Sequence, residues 1–195
     1  MIVLCKDSDP QWKQLRWQGL TASRVPFLLG MVSWEKRSQS QQLAEYAARV
    51  EVDQSPAMWM GTCMESPGIR RAAERMGWHS WERSGELITR EDCPRIMATL
   101  DAWVTPSHGT RRRVAEHKFK RFAKKGEDVS DAHIAQMQLQ LHLAGEPWGY
   151  LITTVCGEWP AVRTVEYDSL TALALVHETN KLIAQIDQIR ASSGG

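Results

Sequence analysis

The chain has 195 residues, 43% of them hydrophobic and 24% charged, with a net charge of only +1. That length supports one domain with a core of its own and is short for two, and no run approaches the roughly 20 apolar residues of a membrane span. The start MIVLCKDSDPQW lacks the basic flank and long apolar stretch of a secretory signal, so a soluble cytoplasmic protein with no membrane partner is expected, with residues 1–190 as one domain and 191–195 as a flexible tail.

Asp9 before Pro10, with Trp12, Leu15 and Arg16 at helical spacing, predicts a short helix over 10–18. After Gly19, Thr21 or Ser23 can cap a second short helix through Leu29 that closes at Gly30. Segment 38–50 has a Ser cap and places Leu43, Ala47 and Val50 at helical spacing. Residues 57–76 are helical in composition but hold Pro67, which removes a backbone donor and disfavours helix at Ser66; a kinked helix, or two in succession, should end at Gly77.

Beyond Gly77 the period changes. WHSWERS, ELITR, RIMATLDAWV and RVAEHKF are short, alternating or β-rich, and predict three or four strands, mostly joined as hairpins. Ser130 or Asp131 caps a helix, AHIAQMQLQLHLAG, closed by Gly145 with Pro147 beyond it. GYLITTV and AVRTVEY read as strands, and Asp168 opens a last helix to about Arg190 with Leu173, Val176, Ile183 and Ile186 on one side. The expected fold is α/β (α+β), a mixed central sheet flanked by helices.

Cys5, Cys63, Cys93 and Cys156 stand singly, so they read as reduced thiols filling small apolar gaps, with a convergent four-cysteine iron–sulfur site as the alternative. From Arg111 to Lys125, eight basic side chains face the single acid Glu116. Such a field attracts phosphate, although a charge run by itself also fits a solvated loop.

In VAEHKFKRF, strand alternation puts Glu116 and Lys118 on one face and His117 on the other. If ATLDAWV and this strand pair as a hairpin across TPSHGTRRR, Asp101 joins Glu116 and Lys118 at one edge of the sheet. Two carboxylates that close call for a divalent cation, and Mg²⁺ takes one or two carboxylates plus substrate phosphate. The chemistry suited to that set is phosphodiester hydrolysis, with lysine orienting or helping to deprotonate the attacking water. The plainer alternative is a turn aspartate beside a surface ion pair worth under about 1 kcal/mol.

Four stretches in order decide between these readings. WKQLRWQGLTASRV, MGTCMES, MATLDAWV followed by VAEHKF, and AQMQLQLHLAG together resemble the bacteriophage lambda exonuclease or YqaJ-type viral recombinase family of PD-(D/E)xK nucleases. The resemblance implies a restriction-endonuclease-like core and assigns Arg16 and Ser23 to the 5′-terminal phosphate of DNA. It makes Glu65 an acid on the helix lining the metal site, matches Asp101, Glu116 and Lys118 to the family's D…E-x-K, and maps Gln136 to the glutamine beside the nucleophilic water. Thr99, Leu100 and Ala102 depart from the family's S-P-D-G without removing a ligand. His117 departs too, reading as a core histidine whose backbone carbonyl can serve the metal.

Gln136, Gln138 and Gln140 cannot all face one way on a helix, so most of them are expected to face solvent or pack. The resemblance further implies Mg²⁺ with Mn²⁺ able to substitute, double-stranded DNA ends as substrate, a homotrimer, a single-strand annealing partner, and a phage or prophage origin in a bacterial host. Most of the nine tryptophans read as core, with Trp17 or Trp34 as a wedge at the junction of single and double strands. The competing functions are an endonuclease, a resolvase or a RecB-like CRISPR-associated nuclease on the same core, and a DNA-binding protein without turnover.

Overall fold

In the computed structural model of the chain, residues 1–32, 35–50, 55–120 and 129–193 are described. Two mixed sheets carry the fold. One has the order β1 (Ile2–Lys6), β4 (Glu86–Thr89), β5 (Ile96–Thr99), β2 (Leu20–Thr21); the other runs β3 (Ser80–Arg83), β6 (Ala102–Thr105), β7 (Arg113–Lys120), β8 (Trp148–Val155), β9 (Ala161–Glu166). The expected mixed α/β architecture is present, with more strands than the sequence announced. β1 and β2 gave no readable alternation, because β1 is an apolar run on an edge and β2 has two residues.

Leu100 and Asp101 form the short step by which the chain leaves β5 in the first sheet and enters β6 in the second. β6 and β7 then pair antiparallel, with Ala102 opposite Ala115, so continuing the register brings Asp101 across from Glu116. The hairpin is as expected, but its position is not. β7 is the middle strand of five rather than an edge, because β8 adds to it in parallel after the next helix.

The helices are α1 (Trp12–Arg16), α2 (Val25–Leu28), α3 (Gln39–Ala47), α4 (Pro56–Met76), α5 (Asp131–Ala144) and α6 (Ser169–Ser193). Ser38 caps α3 through a capping box with Gln41. The helix stops at Ala47, leaving Val50 exposed outside it. Neither Thr21 nor Ser23 caps α2: Thr21 is spent in β2, and Arg24 holds the cap position without a side-chain bond. α4 is one helix that runs through Pro67 and ends at Gly77 in the left-handed conformation.

Along α6 the buried residues are Ala172, Leu175, Thr179, Leu182, Ile183 and Ile186, so the apolar stripe lies one step round from the expected one and Leu173 is 55% exposed. Residues 191–193 belong to this helix rather than to a tail. Arg190 anchors it by donating to the carbonyls of Ala47 and Trp17. None of the described helices is long and apolar enough to cross a membrane.

α5 is the centre of the larger core, buried on nearly every side with Met137, Leu139, Leu141 and Leu143 fully enclosed. A smaller core forms on the opposite face of the second sheet, where Ile69 and Ala72 of α4 meet Ala102, Val104, Ala115, Tyr150 and Ile152. β7 is therefore sandwiched, one face toward α5 and the other toward α4. The cysteines do not behave as uniform core filler: Cys93 is buried, Cys5 is half-buried, and Cys63 and Cys156 are exposed. No grouping of several cysteines occurs among the described residues.

Candidate active site

The α5 face of β7 carries Glu116 and Lys118, as the alternation required. Lys118 Nζ donates to Glu116 Oε1 at 2.5 Å and to Gln136 Oε1 at 2.9 Å, while Gln136 Nε2 donates to the same Glu116 oxygen at 2.5 Å. Gln140, one helical turn on, donates to Glu116 Oε2 at 2.6 Å. Glu116 is only 3% exposed, and each of its oxygens is held by an amide of α5, so this is no surface ion pair. Gln138 points away and bonds the carbonyl of Glu166 and the amide of Asp168 at 2.7 and 2.8 Å. The three glutamines do diverge, yet none faces solvent, because α5 is enclosed all round and each amide finds a partner in the interior.

Asp101 is fixed by the backbone of β7: the His117 N–H donates to Asp101 Oδ2 at 2.8 Å. The His117 ring lies on the other face, where Nε2 is 2.9 Å from Thr154 Oγ1. A Cβ on Gly68 would come within 2.1 Å of that nitrogen, so Gly68 is the place where α4 approaches β7. Burial pushes His117 down to about 4, leaving the ring neutral at physiological pH.

Glu65, on the same helix, completes the acidic set. Asp101, Glu116, Lys118, Gln136, Glu65, Arg16 and Ser23 all line one cleft of about 290 Å³, together with Gln140, Asp7 and Arg83, which sequence reasoning missed. Desolvation, then the charges of Glu116 and Glu65, hold Asp101 well above the ordinary carboxylate range. Desolvation and Glu116 likewise raise Glu65. Burial works against the charge on Lys118, but Glu116 and Asp101 more than offset it and keep its pKa raised. The lysine is accordingly held in its charged form, donating to Glu116 and Gln136.

These features fit a divalent cation. Repelling, desolvated carboxylates are stabilised by positive charge between them, and oxygen donors suit Mg²⁺ or Mn²⁺. Gln140 Oε1 is buried without a hydrogen-bond partner. Turning the amide over would set that oxygen against Glu116, so the amide keeps the orientation that donates to Glu116.

A tighter grouping lies elsewhere: Asp92, Cys93 and His142 have ligand atoms within 4.8 Å of one another. There Arg90 grips Asp92 with Nε and Nη2, both at 3.0 Å. Burial and Asp92 push the Cys93 thiol up to about 11, so a thiolate ligand is costly.

At the other end of the cleft the Arg16 guanidinium lies 4.3 Å from the Trp12 ring centroid, and its Nε is buried without a partner. Arg16 and Arg24 form no ion pair among the described residues. Burial, together with other arginines, disfavours the charge on both. Ser23 is exposed beside them. An anion would satisfy this corner.

The basic run is divided. Arg111 and Arg113 bond Glu146 at 2.9 and 2.5 Å, and Arg112 bonds Glu82 at 3.2 Å and stacks on Trp103. Lys118 serves the cleft, and Arg121, Lys124 and Lys125 lie outside the described residues, as does Trp34. Trp17 packs against Tyr46, with ring centroids 4.8 Å apart, and against the main core, which makes it a structural ring rather than a wedge.

The sequence matches the YqaJ-like viral recombinase domain over residues 11–147. The chain belongs to that family. The fold agrees. An alkaline exonuclease from Laribacter hongkongensis, LHK-Exo, superposes with a TM-score of 0.75 at 21% identity, over 95% of this chain and 96% of the other. LHK-Exo in complex with dAMP gives 0.74 at 20% identity, over 94% and 95%. A phage-related exonuclease from Haemophilus somnus gives 0.68 at 11%, over 94% and 100%. No curated protein sequence matches significantly.

Proposed function

We propose that this member of the YqaJ-like family is a metal-dependent exonuclease that shortens linear double-stranded DNA from its 5′ ends, in phage-type recombination. The observation that carries the reading is the convergence of Asp101, Glu116, Lys118 and Gln136 beside Glu65, with the guanidinium of Arg16, which forms no ion pair with the described residues, in the same cleft. Family membership and exonuclease neighbours supply the substrate class.

Asp101, Glu116 and Glu65, with the His117 carbonyl, would hold Mg²⁺, and Mn²⁺ has the same donor preferences. A cation there supplies Lewis-acid charge and a more acidic water. Lys118 and Gln136 orient the attacking water through the hydrogen bonds they already share. Water oxygen bonds to phosphorus, the P–O3′ bond breaks, the water proton leaves to solvent and the 3′ oxygen takes one back. The phosphate stays on the shortened strand. Arg16 and Ser23 hold the terminal 5′ phosphate, which sets the length removed.

Membership of the family is also what supports a homotrimer, a single-strand annealing partner and work in the bacterial cytoplasm. Sedimentation of the protein alone, and with a candidate annealing protein, tests the first two.

The test of activity is digestion in Mg²⁺ of 5′-phosphorylated linear, 5′-hydroxyl linear and closed circular duplexes, with Lys118→Ala as control. Loss of linear DNA alone, fastest with the phosphate and absent in the variant, is expected. Cutting of the circle would instead establish an endonuclease, and binding without any cleavage a DNA-binding protein.

A further inference from the structure

Building on the nuclease reading, a second basic side chain, Arg83, lines the cleft together with Arg16. β1, β5 and β2 run in one direction in the first sheet and β4 in the other. Asp7 after β1, Gly85 before β4, Asp101 after β5 and Ser23 after β2 therefore lie along the same end of the sheet, in that order. Asp7 and Ser23 occupy its two extremes, three strand spacings or about 14 Å apart, with the carboxylate of Asp101 between them.

Asp7 is held where it is by the chain. Its N–H donates to the Gly85 carbonyl at 2.8 Å. Gly85 adopts φ +62, and a Cβ there would stand 2.5 Å from Asp7 Oδ1. Against this carboxylate lies the fork of Arg83: Nη1 donates to Oδ1 at 3.1 Å and Nη2 to Oδ2. Arg83 ends β3 opposite Ala102, next to Asp101, and its side chain is 48% exposed. Two of its five N–H donors are spent on Asp7; Nε and the remaining Nη hydrogens make no hydrogen bond with the described residues. Asp7 lies outside the stretch that matches the family, residues 11–147.

A guanidinium fixed by one carboxylate, with donors left over, on the wall of the cleft that Glu65 and Asp101 also line, is preorganised for a phosphate. We propose that Arg83, positioned by Asp7, binds the DNA phosphate on the 3′ side of the scissile one. With the terminal 5′ phosphate at Arg16 and Ser23 and the scissile phosphate at Asp101 and Glu116, the strand continues toward the Asp7 extreme, and its next phosphate meets Arg83. Asp7 is a positioning residue; Arg83 touches substrate.

The experiment is single-turnover release of the first nucleotide from a 5′-phosphorylated duplex carrying one uncharged methylphosphonate at the second internucleotide linkage, compared with the natural duplex. Wild type should be slowed about tenfold by the neutral linkage, the order expected for one charge-assisted hydrogen bond pair. Arg83→Gln should be slowed about as much on natural DNA and then be indifferent to the methylphosphonate. A folded Arg83→Gln protein that keeps the full penalty, or a wild type that shows none, overturns the inference. Should Arg83→Gln not fold, Asp7→Asn is read in the same way: a reduced penalty supports the contact and an unchanged one refutes it. Fluorescence anisotropy in the Lys118→Ala background measures the same neutral-linkage penalty without turnover. Protein that binds with that penalty yet digests nothing as wild type refutes the nuclease reading and leaves this one standing.

Discussion

The two faces of β7 are built from alternate residues of one strand and do opposite work. Toward α4, Ala115 and His117 meet Ile69, Ala72 and the bare backbone of Gly68, a fit of shapes. Toward α5, Glu116 and Lys118 meet Gln136 and Gln140, a fit of charges and hydrogen bonds. A well-packed face stabilises; a desolvated cluster of acids does not. What the first face contributes is rigidity for the second, since the His117 ring packs against α4 while its backbone N–H holds Asp101.

The comparison breaks most sharply at Lys118 and Asp101. Lys118→Ala or Asp101→Asn should lower the rate of DNA digestion by about a thousandfold or more, as for loss of a charge that stabilises a transition state, with the far-UV spectrum unchanged. Rates within tenfold of wild type would remove these residues from the chemistry.

On the packing face, Gly68→Ala puts a methyl into His117 and should cost about 1–3 kcal/mol in denaturant unfolding. It should also slow digestion, because Glu65 lies on the same helix one turn away. Stability lost with activity intact would show that the faces are uncoupled.

Gln140→Leu sharpens the chemical side. It removes the donor on Glu116 Oε2 and the orphaned oxygen in one change, and digestion should fall about tenfold, the scale of one hydrogen bond to a charged group, with little change in melting temperature.

Without metal the two faces should also titrate differently. Asp101 and Glu65 have pKa values raised above their ordinary 3.8 and 4.5, so the folded state binds protons that the unfolded state has released. Their contribution is present below those values and is lost as pH rises above them. In EDTA the stability difference between wild type and Asp101→Asn should move against wild type as pH climbs from about 4 toward neutrality, and Mg²⁺ should reverse it. His117, pushed down to about 4, gains stability over the same range in both proteins, so the difference isolates Asp101, and a difference that stays flat with pH would contradict the assignment.

The smallest effect is expected well away from β7's central residues: Arg112→Ala, an exposed pair with Glu82, should change stability by under about 1 kcal/mol and leave DNA affinity within about twofold, as measured by anisotropy.

Much of the chemical face was legible because period-two alternation is a local property: VAEHKF places Glu116 and Lys118 together whatever the rest of the chain does. Gln140 was not legible. On a helix buried all round, the contrast between apolar and polar faces that marks a solvent side is missing, so a buried glutamine reads like an exposed one. Asp7 and Arg83 escaped for a different reason, since they meet only when β1 closes on β4, a pairing across most of a hundred residues that no local pattern announces. Leu173 was placed inward because two stripes of α6 are apolar and only packing against α3 and α5 selects between them. The basic run misled in the same manner: its charge was visible, but not that Glu146 and Glu82 consume three of its arginines.

The most direct measurement is Mn²⁺ binding, followed by the resonance of the free ion, for wild type, Asp101→Asn and Cys93→Ser with a 5′-phosphorylated duplex present. Binding by wild type and Cys93→Ser, lost in Asp101→Asn, is the predicted result. Binding that survives Asp101→Asn and disappears in Cys93→Ser would place the metal at Asp92, Cys93 and His142 and contradict the account.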